Sequence, residues 1–459
     1  MIAISMIFLG SIALMFAGIN AEEKKFKPFF GVLLALSGIF AFLESKAIFA
    51  FDELFVWVPK HMVDFDAFGL QMVGVLSILA AIIINLMPAA NRKGADILAL
   101  MAFSLCGGIL MIGAKHLVVL FLGIEVLSIP LFVLAGSDKD NISGNEAALK
   151  YFLMGAFSSA IFLLGAAFLY GGSAVMTYQE MFLRLSFSEH FGDFPVLMKA
   201  GMILVMVGLL FKVSAVPFHF WSPDVYEGSP NRVTSFMAVI VKIAGFVALA
   251  NFMKAFLPML EWTSNWLLPI SAITILGGNI AAFAQKSFKR MLAYSSISHA
   301  GYLLLFALTS MQDMSVLGTY LLAYGLSTAL LFYLFDKYAN GDKNGFDIFT
   351  GLTFTNRTDT IALVVATLSI AGIPGTIGFI GKYQLFSTAF GPQFWGVMIA
   401  LLGSIISIGY YFRSFKYAFR TESDTPNQWN WSWGSICAVV ISSVIIALGL
   451  FPYLLSLYF

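Results

Sequence analysis

The chain has 459 residues, 59% of them hydrophobic and only 11% charged, with a formal net charge of +1 and a mean hydropathy of +0.88. Soluble domains carry about 25% charged residues, so a water-soluble protein of this length has nowhere to bury so much apolar surface, and a near-neutral chain has no electrostatic claim on nucleic acid. The two cysteines, Cys106 and Cys437, each stand alone in an apolar stretch, which argues against a zinc or iron–sulfur centre and for small buried hydrophobes.

Against a yardstick of ~20 apolar residues per span, the sequence predicts an all-α polytopic membrane protein with about fourteen transmembrane helices. In chain order they fall near 2–20, 29–50, 67–87, 95–114, 117–136, 147–170, 196–221, 232–256, 265–284, 291–310, 315–336, 359–390, 393–418 and 433–457. The opening Met1-Ile2-Ala3-Ile4-Ser5 has no basic residue before its apolar run, so the first segment reads as a span and not as a signal peptide. The segment 359–390 is too long for one straight helix and contains Gly372-Ile373-Pro374-Gly375, followed by Gly378 and Gly381. Pro217 interrupts the seventh segment in the same way. Such breaks are tolerated at membrane depth only where they pack in protein or line a wet cavity. The polar, turn-rich Trp221-Ser222-Pro223-Asp224-Val225-Tyr226-Glu227-Gly228-Ser229-Pro230 reads as a cytoplasmic connection.

Lysine and arginine placement sets the orientation. Of 26 basic residues, 17 fall in odd-numbered connections and 6 in even-numbered ones, which leaves three, Lys212, Lys242 and Lys382, inside spans. Odd connections are therefore cytoplasmic and both termini lie outside. The proline-broken seventh and twelfth segments are five spans apart, an odd offset that inverts one relative to the other, as in transporters built from inverted repeats. Their local likeness is weak, since Lys212 precedes its proline by five residues and Lys382 follows its own by eight.

An ionisable group at the bilayer centre costs roughly 2.5–3.5 kcal/mol and usually marks an ion or proton path. Lys212 and Glu125, the one carboxylate near the middle of a span, suit a switchable pair; a static pair is a poor source of stability. Lys242 and Lys382 lie too deep to snorkel easily to an interface. His219 follows Lys212 by seven residues, about two turns, and shares its side if the kink allows. His299 sits in a polar stripe, Tyr294-Ser295-Ser296-Ile297-Ser298-His299, fit either for a proton relay or for hydrogen-bonded helix packing. Lys150, near the start of the sixth segment, suits a helix cap or a proton entrance. Forty-seven Phe and twenty-one Met are ordinary membrane filling, and no polar pair is placed to grip a quinone. There is no dinucleotide fingerprint and no phosphate loop, so any driving redox reaction belongs to another chain.

The run Phe211-Lys212-Val213-Ser214-Ala215-Val216-Pro217-Phe218-His219-Phe220-Trp221-Ser222-Pro223-Asp224-Val225-Tyr226-Glu227-Gly228 closely resembles the signature of the subunit N branch of the antiporter-like membrane subunits of proton-pumping NADH:quinone oxidoreductase, respiratory complex I. Leu120–Glu125, Lys289–Tyr302 and Ala371–Lys382 match as well, so the likeness runs the whole chain in order. It implies fourteen helices with two inverted five-helix repeats, each with a broken helix. The chain would divide into 1–94 (helices 1–3), 95–256 (first repeat), 257–420 (second repeat) and 421–459 (helix 14). It implies that Glu125 is the fifth-helix glutamate paired with Lys212 of the seventh helix, Lys242 the central lysine of the eighth, His299 the motif histidine of the tenth, and Lys382 the twelfth-helix lysine near the exit. FMN, iron–sulfur clusters and quinone are expected in partner subunits. The expected partners are antiporter-like neighbours and small helical subunits of the membrane arm, in a bacterial cytoplasmic membrane. Subunits L and M, cation/proton antiporter complexes and membrane hydrogenases are similar. The 224–228 stretch and Lys242 favour the N branch, Lys382 disfavours M, which resembles this pattern with a glutamate there, and the short tail after the last span disfavours L.

Overall fold

The computed structural model describes residues 2–17, 22–47, 59–88, 96–188, 196–339, 344–420 and 431–459. Arg92, Lys93 and Lys343 of the charge count lie outside the described residues. Within them the chain is helical, with isolated β-bridges only. In hydrocarbon every backbone N–H and C=O must find a partner inside the protein, and the helix meets that demand within one segment.

The first six helices are α1 (Ile2–Ala17), α2 (Glu23–Ser45), α3 (Ala67–Leu86), α4 (Asp96–Gly113), α5 (Leu117–Ala135) and α6 (Ile142–Ser173). A short surface helix, α7 (Tyr178–Ser188), buries Tyr178, Met181 and Leu185 at helical spacing. Next come α8 (Val196–Lys212) and α9 (Trp221–Gly228). The helix α10 (Asn231–Phe236) then passes through a π-helical turn, Met237–Val241, into α11 (Lys242–Ala255). The second half holds α12 (Leu260–Ala284), α13 (Phe288–Ala307), α14 (Ser315–Tyr338), the one-turn α15 (Leu352–Thr355), α16 (Arg357–Ala371), α17 (Ile377–Phe390), α18 (Phe394–Ala418), α19 (Trp433–Leu450) and the short α20 (Tyr453–Tyr458).

Ten helices among the described residues are long and apolar enough to cross a membrane. The other expected spans fall on α1, on α13, and on two interrupted helices, α8–α9 and α16–α17. Asn231–Ala255 is buried along nearly its whole length, whereas α6, α12, α18 and α19 keep much of their apolar surface on the outside. That distribution, with Phe157, Ile273 and Ile405 facing outward, is the inside-out economy of a multi-pass membrane protein. Helix starts are capped as in water-soluble proteins. Asp66 accepts from Gly69 N at 2.7 Å, Asn141 from Gly144 N at 3.2 Å and Asn356 from Asp359 N at 3.3 Å, each satisfying one of the donors that a helix start leaves open.

Two expectations need correction. Residues 221–228 form a helix, α9, with Trp221, Val225 and Tyr226 buried, and not a polar connection. Its proline, Pro223, sits in the first turn, where the missing N–H costs nothing. The helix α2 begins at Glu23, so Lys24, Lys25 and Lys27 lie on its first turns and not in a connection.

One ion pair pins α2 to the central span: Arg232 Nη1 donates to Glu23 Oε1, with the side chains only 8% and 1% exposed. Arg232→Met strands the carboxylate and is expected to cost about 3–5 kcal/mol, much of which the Glu23→Leu/Arg232→Met double variant regains. Denaturant titration of the purified protein tests this; equal losses in the single and double variants would dissociate the cost from the pair.

Candidate functional site

The first break follows directly from Lys212, the last residue of α8. Ser214 takes a positive φ of 59°, and several backbone groups at the break are met by side chains. Trp221 Nε1 donates to Phe211 O at 3.0 Å, Val216 N donates to Thr274 Oγ1 at 3.1 Å, and Lys242 Nζ donates to Val213 O at 2.9 Å. Lys242 also donates to Ser296 O of α13 at 2.8 Å. A buried lysine thus joins the first break to the second half of the chain.

Lys212 itself is 3% exposed. Its Nζ donates to Ser128 Oγ of α5 at 2.6 Å and lies 5.6 and 5.5 Å from the ring centroids of Phe132 and Phe211, within cation–π range. Glu125, one turn before Ser128, accepts from Ser159 Oγ of α6 at 2.5 Å. No ion pair joins Glu125 to Lys212 here; the hydroxyl of Ser128 occupies the ammonium and that of Ser159 the carboxylate.

Farther along, His299 is fully enclosed. Its Nδ1 shares a hydrogen bond with Tyr320 OH at 2.7 Å and its Nε2 one with Tyr411 OH at 3.4 Å, and Tyr411 in turn bonds to Ser295. A cavity of about 10 Å³ lies between His299, Tyr320, Tyr324, Ser369 and Lys382, the scale of one water molecule. Lys382 closes its far side.

The second break spans Gly372 to Thr376, with φ of +83° at Gly372 and +91° at Gly375. Lys382 Nζ donates to the freed Ala371 O at 2.8 Å and to Ser404 Oγ at 3.2 Å, and lies 5.4 Å from the Tyr302 ring centroid. Lys212, Lys242, His299 and Lys382 therefore form a buried row, its members linked through Val213, Ser296 and the small cavity.

His219 stands apart. The helix ends at Lys212, so the two-turn spacing carries no helical face across the break; its ring packs on Phe220 at 4.4 Å. Lys150 lies two turns into α6, where it meets Glu146 at 2.7 Å and Asp224 at 2.8 Å. Arg290 of α13 meets Asp224 and Glu227, both at 2.9 Å. This partly exposed network ties α6, α9 and α13 together at one end. Lys289, beside it, is only 4% exposed and donates to Ser229 O at 2.6 Å. Sequence reasoning left it in a connection, although Lys289, Ser296 and His299 recur at spacings of seven and three, one helical face. Among the described residues no three His, Cys, Asp or Glu side chains gather as metal ligands.

A Cβ at Gly378 would overlap the Ser369 carbonyl oxygen, so α16 and α17 meet at the second break only because that residue has none. Gly378→Ala is expected to cost about 1–3 kcal/mol as an overpacked contact. Gly277→Ala, where a Cβ meets nothing, is expected to stay within about 0.5 kcal/mol. Thermal midpoints of the purified variants decide; indifference to Gly378→Ala would mean that the break is not tightly packed.

A family described as NADH:quinone oxidoreductase/Mrp antiporter, transmembrane, matches residues 114–407. The NADH-quinone oxidoreductase subunit N of Flavobacterium johnsoniae is 35% identical over 458 residues, covering 97% of both chains. A chain in the structure of respiratory complex I from Thermus thermophilus superposes with a TM-score of 0.84 at 32% identity over 98% of each chain. A chain of an archaeal membrane-bound sulfane sulfur reductase shares the fold, with a TM-score of 0.85 at 22% identity. With two thirds and more of its length matched at such identity, the chain belongs to the family of NADH-quinone oxidoreductase subunit N.

Proposed function

We propose that this chain carries protons across the membrane as a membrane-arm subunit of an NADH:quinone oxidoreductase. Oxidation of NADH and reduction of quinone occur in partner subunits that hold FMN and iron–sulfur clusters, and this chain contributes no redox centre. The observation that carries the reading is the row of buried ionisable side chains, Lys212, Lys242, His299 and Lys382, set at two helix breaks and joined by carbonyls, hydroxyls and a water-sized cavity. Protons enter at the charged end near Lys150 or the broken α8–α9 helix, pass from Lys212 to Lys242, and leave through Lys382. Glu125 sets the charge state of Lys212 when the pair closes. His299 relays between Lys242 and Lys382, and His219 is a secondary candidate at the first break.

The charged end faces the cytoplasm of a bacterial cell, with both termini outside. Lys150, Arg232, Arg290, Lys289 and Lys337 all anchor helix ends there, in keeping with the positive-inside rule. Segments 95–256 and 257–420 are read as two inverted repeats, with 1–94 and 421–459 flanking them. Each break offers a carbonyl to a lysine, although in the first the lysine comes from another helix and in the second from the same one. Neighbouring membrane-arm subunits pack on the apolar outer faces. An antiporter of the kind in the family description would instead show sodium dependence and indifference to NADH.

NADH-driven proton uptake in inverted membrane vesicles tests the reading, with Lys212→Ala compared with wild type at matched complex content and NADH oxidation recorded alongside. Both rates are expected to fall more than about tenfold, the effect of adding ~1.4 kcal/mol to the limiting proton transfer. Lys242→Met and Lys382→Met are expected to act alike. Unchanged uptake per NADH in Lys212→Ala would remove Lys212 from the path and favour a structural role.

A further inference from the structure

A groove of about 1300 Å³ opens between α2, α3, α14 and α19, away from the lysine row. It exceeds the roughly 300–1,000 Å³ of small-molecule pockets. Its walls are apolar for most of their length, with Val32, Ile78, Ile82, Val440 and Val444 among the lining residues. Asn85, the one amide among the described residues of the wall, donates its Nδ2 to Ala81 O at 3.0 Å.

The polarity sits at one end. Lys24 and Lys27 stand there on the first turns of α2, with Trp433 opposite at the start of α19. Lys27 Nζ donates to Met87 O and keeps two further donors. Glu23, the nearest acid in sequence, is held by Arg232, and among the described residues no acidic side chain lines the groove. From Trp433 to Leu448 the wall follows sixteen residues of α19, roughly 22 Å of helix. One leaflet of a bilayer contributes about half of a ~30 Å hydrocarbon core.

Two ammonium groups at one mouth of an apolar slot longer than one leaflet's hydrocarbon match a phosphate with hydrocarbon behind it. Basic pockets between transmembrane helices bind anionic headgroups on this principle. Most of the described lining is large and aliphatic, with Gly31, Ala35 and Ala81 as its small residues and Asn85 as its amide. We propose that the groove is a structural site for one anionic phospholipid of the leaflet at the basic end, its phosphate on Lys24 and Lys27 and its acyl chains along α19.

The intact complex, purified by detergent extraction and washed, provides the test. Bound phospholipids are quantified by class for wild type, for Lys24→Gln/Lys27→Gln, which removes the charge, and for Cys437→Trp, which fills the slot from its wall. Wild type is expected to retain a stoichiometric anionic phospholipid that both variants lose, with zwitterionic lipid unchanged. Equal anionic content in all three overturns the proposal. So does parallel loss of both lipid classes from the lysine variant, which would mark unselective hydrocarbon filling, and so does retention in Cys437→Trp alone, which would put the lipid outside the slot. If Cys437→Trp instead lowers assembly while the assembled complex keeps its lipid, a partner helix fills the groove and the proposal fails.

Discussion

Hydrocarbon supplies no partner for a backbone carbonyl, and both interruptions of the helical framework are shaped by that fact. A break in a soluble helix is repaired by water. Here Val213 O and Ala371 O, freed by the two breaks, are each met by a lysine ammonium, Lys242 in one case and Lys382 in the other. The lysines that look most costly in the sequence are therefore also the donors that make the breaks affordable. Each cost offsets the other, which gives a physical reason for their juxtaposition that is independent of any transport role.

The same logic organises the region between the breaks. The middle of the span Asn231–Ala255 is fully buried, so Lys242 has no route to an interface and finds its partners at the first break and in α13. His299 likewise has only tyrosine hydroxyls and the small cavity around it. Polar groups in this core are held by neutral hydroxyls and carbonyls, whereas carboxylate–cation pairs collect at the charged end, at Asp224, Glu227, Glu23 and Asp359. The core thus keeps its ammonium groups solvated by dipoles and not fixed by counter-ions.

Much of this was legible in the sequence because membranes impose simple rules. Apolar length located most spans, and a lysine inside an apolar run stands out however the helices pack. Pro217 marked the first break and the Gly-Pro cluster at 372–375 the second. What failed were judgements that depend on the neighbouring helices. Residues 221–228 look like a loop because Ser222, Pro223, Asp224 and Gly228 are turn formers, but Trp221 stacking on Tyr151 at 4.6 Å and the burial of Tyr226 favour a helix over the local signal. Lys289 looked like one of several cytoplasmic lysines because sequence cannot show that the end of α9, at Ser229, lies over it. The partners of Lys212 were also out of reach: Glu125 was visible as a charge, but the serines that separate the pair, Ser128 and Ser159, are unremarkable until helices α5, α6 and α8 are packed.

The way Lys242 is held has a consequence for its chemistry. A lysine ammonium carries three N–H donors, and two of those of Lys242 are committed, to Val213 O and Ser296 O. A neutral amine still carries two. The number of donors that the surrounding backbone demands is thus the number that survives loss of a proton. Lys242 is able to change charge while keeping both of its hydrogen bonds, so that titration at this position need not be accompanied by local unfolding of the membrane core.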